Sequence, residues 1–340
     1  MRIFSVLLSI LLFSCTQSES VSYERLDIGL SDSLQARVLN DTFEFGNANR
    51  IGLCDSLLVI YDEMQEKKIH FFSKETGIHR NEFGTIGQGA NELVTPSNWS
   101  INTLGGVFSI YDYTRGNLLA CPLKELSFAS PASWYTISLP NYEIRPREVA
   151  LLGTEDFVAL HGKPHFTIAR KGKIKTSYDE FPVLPNHPDS KDARMFFLSQ
   201  SLWAVKPDGK KIVQVTTLGS IMQILDLQDS TIELVAERYF QQPIFSVQKG
   251  QIETLPETIY GFTCLQATDK YIYATLHGVS NPAVYPSTIY KFDWKGNLVK
   301  RLLSDQQIVC FTVDEQSCSL YAITLGADNE QKLVYLETFS

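Results

Sequence analysis

The chain has 340 residues, 38 acidic against 30 basic side chains, a formal net charge of −8 and 44% hydrophobic residues. A pI near 5.3 with no Lys/Arg run or basic stripe argues against a nucleic-acid partner, because neutralising phosphates requires one. After the N-terminal leader no apolar run approaches the roughly 20 residues that span a bilayer.

Arg2 supplies a positive n-region, Ile3–Phe13 an apolar h-region, and Leu12-Phe13-Ser14-Cys15 stands at the cleavage position. Leu at −3 and Ser at −1 before Cys15 resemble a bacterial lipobox, although Phe13 is bulkier than usual at −2. The match predicts cleavage before Cys15 and a diacylglycerol on its sulfur; an ordinary secretory signal with an incidental Cys15 is the alternative. Residues 16–22 read as a polar tether. The expected location is the cell envelope, with membrane contact only through the lipid. Glu19 alone does not choose between the periplasmic and outer-surface sides.

From residue 23 onward the chain reads as four-stranded modules recurring about every 40 residues, the period of a β-propeller blade. Alternation and turn residues place the first blade at Arg50–Cys54, Leu57–Asp62, Lys68–Ser73 and Ile78–Phe83. The second takes Trp99–Thr103, Val107–Tyr113, Leu118–Leu123 and Trp134–Leu139, with Ser127–Ser133 inserted before its outer strand. The third takes Arg147–Thr154, Asp156–His161, Phe166–Arg170 and Lys173–Tyr178. The fourth takes Phe197–Val205, Lys211–Leu218, Ile221–Leu227 and Thr231–Phe240, its first hairpin turned by Pro207-Asp208-Gly209. The fifth takes Phe262–Thr268, Tyr271–His277, Thr288–Trp294 and Leu298–Ser304.

The sixth blade has three strands, Ile308–Asp314, Ser319–Leu325 and Leu333–Phe339. Its missing outer strand is expected from Tyr23–Ile28 or Ala36–Leu39, which would remove an exposed sheet edge. The expectation is therefore an all-β, six-bladed propeller over residues 23–340, with small apolar inner strands such as Val149-Ala150-Leu151. A pair of β-sandwiches explains the even spacing and the terminal shortfall less well. Cys54, Cys121, Cys264, Cys310 and Cys318 lack C-x-x-C spacing, so no zinc or redox site is expected from them. Cys310 and Cys318 flank one hairpin, which leaves their pairing open.

Gly84-Thr85-Ile86-Gly87-Gln88-Gly89-Ala90-Asn91-Glu92 resembles the Gly-x-Gly-Pro-Gly-Glu-like loop after the first blade of six-bladed, TolB-like propeller lipoproteins of Bacteroidetes. Gly87, Gln88, Gly89 and Glu92 match, while Ala90 and Asn91 replace the usual Pro and Gly. Phe292-Asp293-Trp294-Lys295-Gly296 and Lys74-Glu75-Thr76-Gly77 fit the turn after that group's third strand. The resemblance covers nearly the whole mature chain and implies a fold and a lipid anchor; it carries over no catalytic residue.

With strands lettered a to d from the channel outward, b–c and d–a loops lie on one rim of the ring and a–b and c–d turns on the other. The first rim receives His161 and His165 around the b–c loop of blade 3, His187 and Arg194 in the connection 183–194, and His277, Asn281 and Tyr285 in the b–c loop of blade 5. It also receives Gln88 and Glu92 and the long segment Gln241–Tyr260. Long loops on a rigid scaffold are where binding groups concentrate. His70 and His79 fall on strands of blade 1, apart from this group.

The leading expectation is a monomeric, non-enzymatic binding module that meets a glycan, peptide or envelope protein through that rim, with no cofactor. Tyr142, Tyr260 and Tyr285 would suit sugar stacking or partner anchoring. The alternative is a metal-dependent hydrolase or lactonase holding a divalent ion such as Ca at the channel mouth. Glu148 and Asp156 are available to it, but the inner strands repeat no acidic position. A Gly-x-Ser-x-Gly elbow, a phosphate-binding P-loop and a Rossmann fingerprint are all missing from the sequence.

Overall fold

The computed structural model describes residues 21–338, apart from 28, 90, 185, 188, 189, 327 and 328. The leader, Cys15 and most of the 16–22 tether lie outside the described residues.

A first strand, β1 (Leu30–Asn40), precedes the blades. Blade 1 holds β2 (Ala48–Cys54), β3 (Leu57–Asp62), β4 (Lys67–Ser73) and β5 (His79–Thr85). Blade 2 holds β6 (Pro96–Asn102), β7 (Val107–Asp112), β8 (Asn117–Pro122) and β9 (Tyr135–Ser138); blade 3 holds β10 (Glu148–Leu151), β11 (Phe157–Leu160), β12 (Phe166–Arg170) and β13 (Lys173–Tyr178). A helix, α1 (Ser190–Ser199), leads into blade 4, made of β14 (Ser201–Val205), β15 (Lys211–Thr216), β16 (Ser220–Leu227) and β17 (Ile232–Gln241). A small hairpin follows, β18 (Ser246–Gln248) and β19 (Gln251–Glu253). Blade 5 holds β20 (Phe262–Ala267), β21 (Ile272–Leu276), β22 (Thr288–Phe292) and β23 (Leu298–Ser304); blade 6 holds β24 (Gln307–Asp314), β25 (Ser319–Leu325) and β26 (Gln331–Thr338).

Each blade is an antiparallel meander, and burial falls from its middle to its outer edge. The second strands are buried on both faces, as in all six residues of β7 and all four of β11. They read as continuous apolar runs such as Leu57-Leu58-Val59-Ile60 because neighbouring blades cover both sides. Outer strands meet water, so β13 exposes Lys173, Ile174, Lys175 and Ser177. Six apolar clusters fill the six seams between consecutive blades, and the last joins Ile51, Leu58 and Phe72 of blade 1 to Cys310, Tyr321 and Leu333 of blade 6. A seam between the last blade and the first is what closes the ring.

The closing strand is β1, which extends well beyond Ala36–Leu39. Its second half pairs antiparallel with β26, from Leu34↔Thr338 to Asn40↔Leu333. Its first half pairs parallel with β23 of blade 5, from Leu30↔Lys300 to Leu34↔Ser304, so blades 5 and 6 share one eight-stranded sheet. Described residues 23–27 form no strand; they run along blade 4, where Glu24 donates its N–H to the Tyr239 carbonyl at 2.7 Å.

Two further expectations are corrected. Phe197–Val205 is not one strand, because Phe196 and Phe197 belong to α1. Ala193, Phe196 and Phe197 follow helical i, i+3, i+4 spacing and bury together against Leu184 and Phe245. Gln241–Tyr260 is not all loop: β18 and β19 pair across Lys249-Gly250, whose φ values of 50° and 75° make the two-residue turn that suits hairpin twist. The five described cysteines are all free thiols. Cys310 pairs with Ile323 across the hairpin while Cys318 sits in the turn before Ser319, so the two are not opposite.

Candidate functional site

The ring encloses a cavity of about 760 Å³ lined by the innermost strands of all six blades. Each innermost strand runs toward its a–b turn, so the turns carrying Asp55, Lys206, Asp269, Asp314 and Glu315 form the mouth. The early residues of the same strands, Arg50, Asn98, Glu148, Ser201 and Thr263, form the deeper wall. The inner strands are thus not uniformly small and apolar. A ring of this size leaves a channel, and polar and aromatic side chains fill its wall where a narrower barrel would need small ones.

Three contacts organise that wall. Trp203 Nε1 donates to Glu148 Oε2 at 2.7 Å, bridging the inner strands of blades 4 and 3. Asn98 Nδ2 donates to the Val149 carbonyl at 3.1 Å and its Oδ1 accepts the Val149 N–H at 3.2 Å, which joins blades 2 and 3. Gln266 of blade 5 donates to the Ile51 carbonyl of blade 1 at 3.1 Å, past the strand of blade 6. Trp99 lies over Gly52, where any Cβ would come within 2.5 Å of the indole, so glycine is the residue that admits this ring. At the mouth, Lys74 Nζ binds Asp314 Oδ2 at 2.8 Å, and Tyr273 donates its hydroxyl to Glu315 at 3.2 Å.

Burial raises the Glu148 carboxyl above the usual range, only partly offset by the Trp203 bond and by Arg50 and Arg147. An unfolded glutamate titrates at about 4.3. As pH rises the unfolded chain therefore sheds this proton first, and Glu148 lowers stability progressively from there up to its folded value. Glu148→Gln keeps an acceptor for Trp203 and removes the titration. Its stability relative to the natural chain should climb through that window and then level off, read by denaturant unfolding across pH. A difference independent of pH would refute this account.

None of the nine rim residues singled out from the sequence lines the cavity. His161 and His165 are buried inside blade 3, 2% and 0% exposed. His161 contacts the Ile144 carbonyl at 3.1 Å and Thr167 Oγ1 at 2.8 Å, and His165 contacts Gln214 Oε1 at 2.8 Å. Burial lowers both imidazole pKa values, that of His165 to about 4. His187 stacks on Phe245 at 3.9 Å, and Arg194 forms a bidentate pair with Asp179 while lying over Phe181. His165 also packs on Phe181, so His165 and Arg194 are brought together. His277 meets Tyr260 instead, and Tyr285 binds Gln307 through its backbone N–H. Asn281 Oδ1 accepts the Ala283 N–H, Glu92 accepts the Gly89 N–H within its own turn, and Gln88 is exposed.

Strand alternation by itself does not single out the wall residues Arg50, Trp99 and Trp203. Their signal is a polar or aromatic residue within an inner strand, where an ordinary core strand would carry valine or alanine.

The "putative exported protein" of Bacteroides fragilis NCTC 9343 has a similar fold, with a TM-score of 0.56 and 12% identity over 94% of this chain and 99% of that one. A member of the DUF4221 family from Bacteroides vulgatus ATCC 8482 is also similar, with a TM-score of 0.50 and 10% identity over 91% and 97%. No curated protein matches the sequence. The family described as TolB-like 6-blade propeller-like matches residues 29–316. Six seams, six inner strands and that match agree: the chain belongs to the TolB-like six-bladed propeller family.

Proposed function

We propose that this protein is an extracytoplasmic, lipid-anchored binding protein whose central cavity takes a small polar ligand with flat apolar faces, of carbohydrate class. The observation that carries the reading is the cavity wall itself. Trp99 and Trp203 stand beside Arg50, Asn98, Glu148 and Thr263 in one concave space of about 760 Å³. Indole faces pack on the C–H faces of sugar rings, and surrounding amide, carboxyl and hydroxyl groups bind their hydroxyls. An exported location is supported by Arg2, the apolar run Ile3–Phe13 and Cys15 in a lipobox-like setting. The description of the similarly folded Bacteroides fragilis protein as exported points the same way.

Calorimetric titration with a panel of mono- and oligosaccharides tests this. At least one should bind with a stoichiometry of one, and Trp99→Ala and Glu148→Gln should each weaken it about tenfold or more. Tight binding indifferent to both substitutions, or no binding across the panel, would remove the cavity as the site.

A second surface is favoured by one observation. Val183, Val279 and Val284 are 43–48% exposed in the loops that carry His187 and His277. A peptide or envelope protein is the class of partner those loops would suit.

A further inference from the structure

We propose that His70 Nδ1, His79 Nε2 and the Glu82 carboxylate form a binding site for one divalent transition-metal ion of the zinc class, at the seam where the ring closes. The site is distinct from the cavity and independent of its ligand.

Strand pairing explains why the three meet. His70 on β4 is directly opposite Glu82 on β5, which places both side chains on one face of blade 1. In an unbroken ladder Phe72 would face Arg80. A bulge between Phe71 and Phe72 shifts the register, so Phe72 pairs with His79 and His79 turns onto the face of His70 and Glu82. The three ligand atoms then lie within 4.8 Å of one another, with His70 Nδ1 3.4 Å from His79 Nε2 and 3.8 Å from Glu82 Oε2.

Those separations suit a metal better than a hydrogen bond. A contact of 3.4 Å is long for a hydrogen bond between ring nitrogens. Bonds of about 2.0–2.1 Å to zinc in a tetrahedron place neighbouring ligand atoms about 3.3–3.4 Å apart. His70 is 2% exposed, and its Nε2 is buried with no hydrogen-bond partner. The contacts to His79 and Glu82 are both made by Nδ1, and a buried ring nitrogen left without a hydrogen bond calls for an explanation. Two imidazoles and one carboxylate select zinc-like ions, whereas calcium and magnesium prefer all-oxygen sets.

The surroundings fix the rings and leave a way in. Phe43 packs on His70 at 4.9 Å and on His79 at 5.0 Å, and Phe72 packs on His79 at 5.0 Å. Glu82 is exposed, so an ion can enter from solvent on that side. Phe43 lies in the link between β1 and β2, so an ion held by blade 1 would brace the segment that leaves the closing strand.

The test uses the intact purified protein, stripped with chelator and dialysed. Zinc chloride should bind with a stoichiometry of one by calorimetry and raise the melting temperature as its concentration rises. His79→Ala and Glu82→Gln, both at positions that keep some solvent contact, should weaken binding at least tenfold and abolish the shift; calcium should give neither effect. His70→Ala is less informative, since it empties a buried position and so alters folding and binding together. No zinc uptake, uptake unchanged in both variants, or an equal response to calcium would overturn the proposal.

Discussion

A chain lacking residues 21–40 is expected to lose its cooperative melt and to aggregate. The segment runs along the outer edges of three successive blades before entering the seam with a fourth. Tyr23 packs edge-on against Tyr239 and Glu24 binds the Tyr239 carbonyl, both on blade 4. Leu30–Leu34 then pairs with blade 5, and Leu34–Asn40 with blade 6. Side chains reinforce the strand: Lys300 binds Asp32 at 2.7 Å and Asp305 Oδ1 accepts the Ala36 N–H at 3.0 Å. Removal leaves β23 and β26 as two unpaired edges, and such edges template intermolecular pairing. It also takes Leu34 out of an apolar cluster and so uncovers Ile308, Phe311 and Leu336. A milder variant separates packing from pairing: Leu34→Ala, at a side chain 2% exposed, should cost roughly 2–5 kcal/mol while leaving the strand in place. Light scattering and thermal unfolding measure both. A truncated chain that stays monomeric and melts like the intact one would show that β1 does not hold the ring.

Asp62→Ala should rank next in effect. Asp62 ends the second strand of blade 1 and is fully buried. Its carboxylate accepts the Gly46 and Asn47 N–H groups at 2.8 Å each and the Met64 N–H at 3.0 Å. One side chain thus ties the incoming link from β1 to the turn after β3. The same device recurs where Ile60-Tyr61-Asp62 becomes Ile110-Tyr111-Asp112, with Asp112 accepting from Val94, Thr95 and Arg115. Hydrogen bonds to charged groups contribute about 1.5–3 kcal/mol each, and truncation removes three of them at once from the part-buried link and turn. A loss of about 3 kcal/mol or more is expected for Asp62→Ala. Asp62→Asn, which keeps one acceptor oxygen, should lose clearly less. Denaturant unfolding of the two variants decides it; equal losses would mean the residue acts by volume and not by its acceptors.

The blades were legible in the sequence because each second strand is buried on both faces and each outer strand on one. Runs such as Leu57-Leu58-Val59-Ile60, bounded by turn residues, announce a strand wherever the chain folds. Three strands after residue 307 likewise required a fourth from elsewhere. What lies on the rims was less legible. Phe197 looks like the start of a strand until Leu184 and Phe245 are there to cover a helix face. His161 and His165 look like loop ligands until their bonds to Thr167 and Gln214 turn them into core.

Tertiary structure alone decided the rest. Arg50, Trp99, Glu148 and Trp203 come from four blades separated by long stretches of chain, and only ring closure makes them one wall. His70, His79 and Glu82 meet through a one-residue bulge, and local periodicity cannot predict a shift in register. Sequence determines the period of burial along each strand because water contact is a local property of alternating side chains. Which strands become neighbours, and which polar groups they bring together, is set by packing between blades over the whole length of the chain.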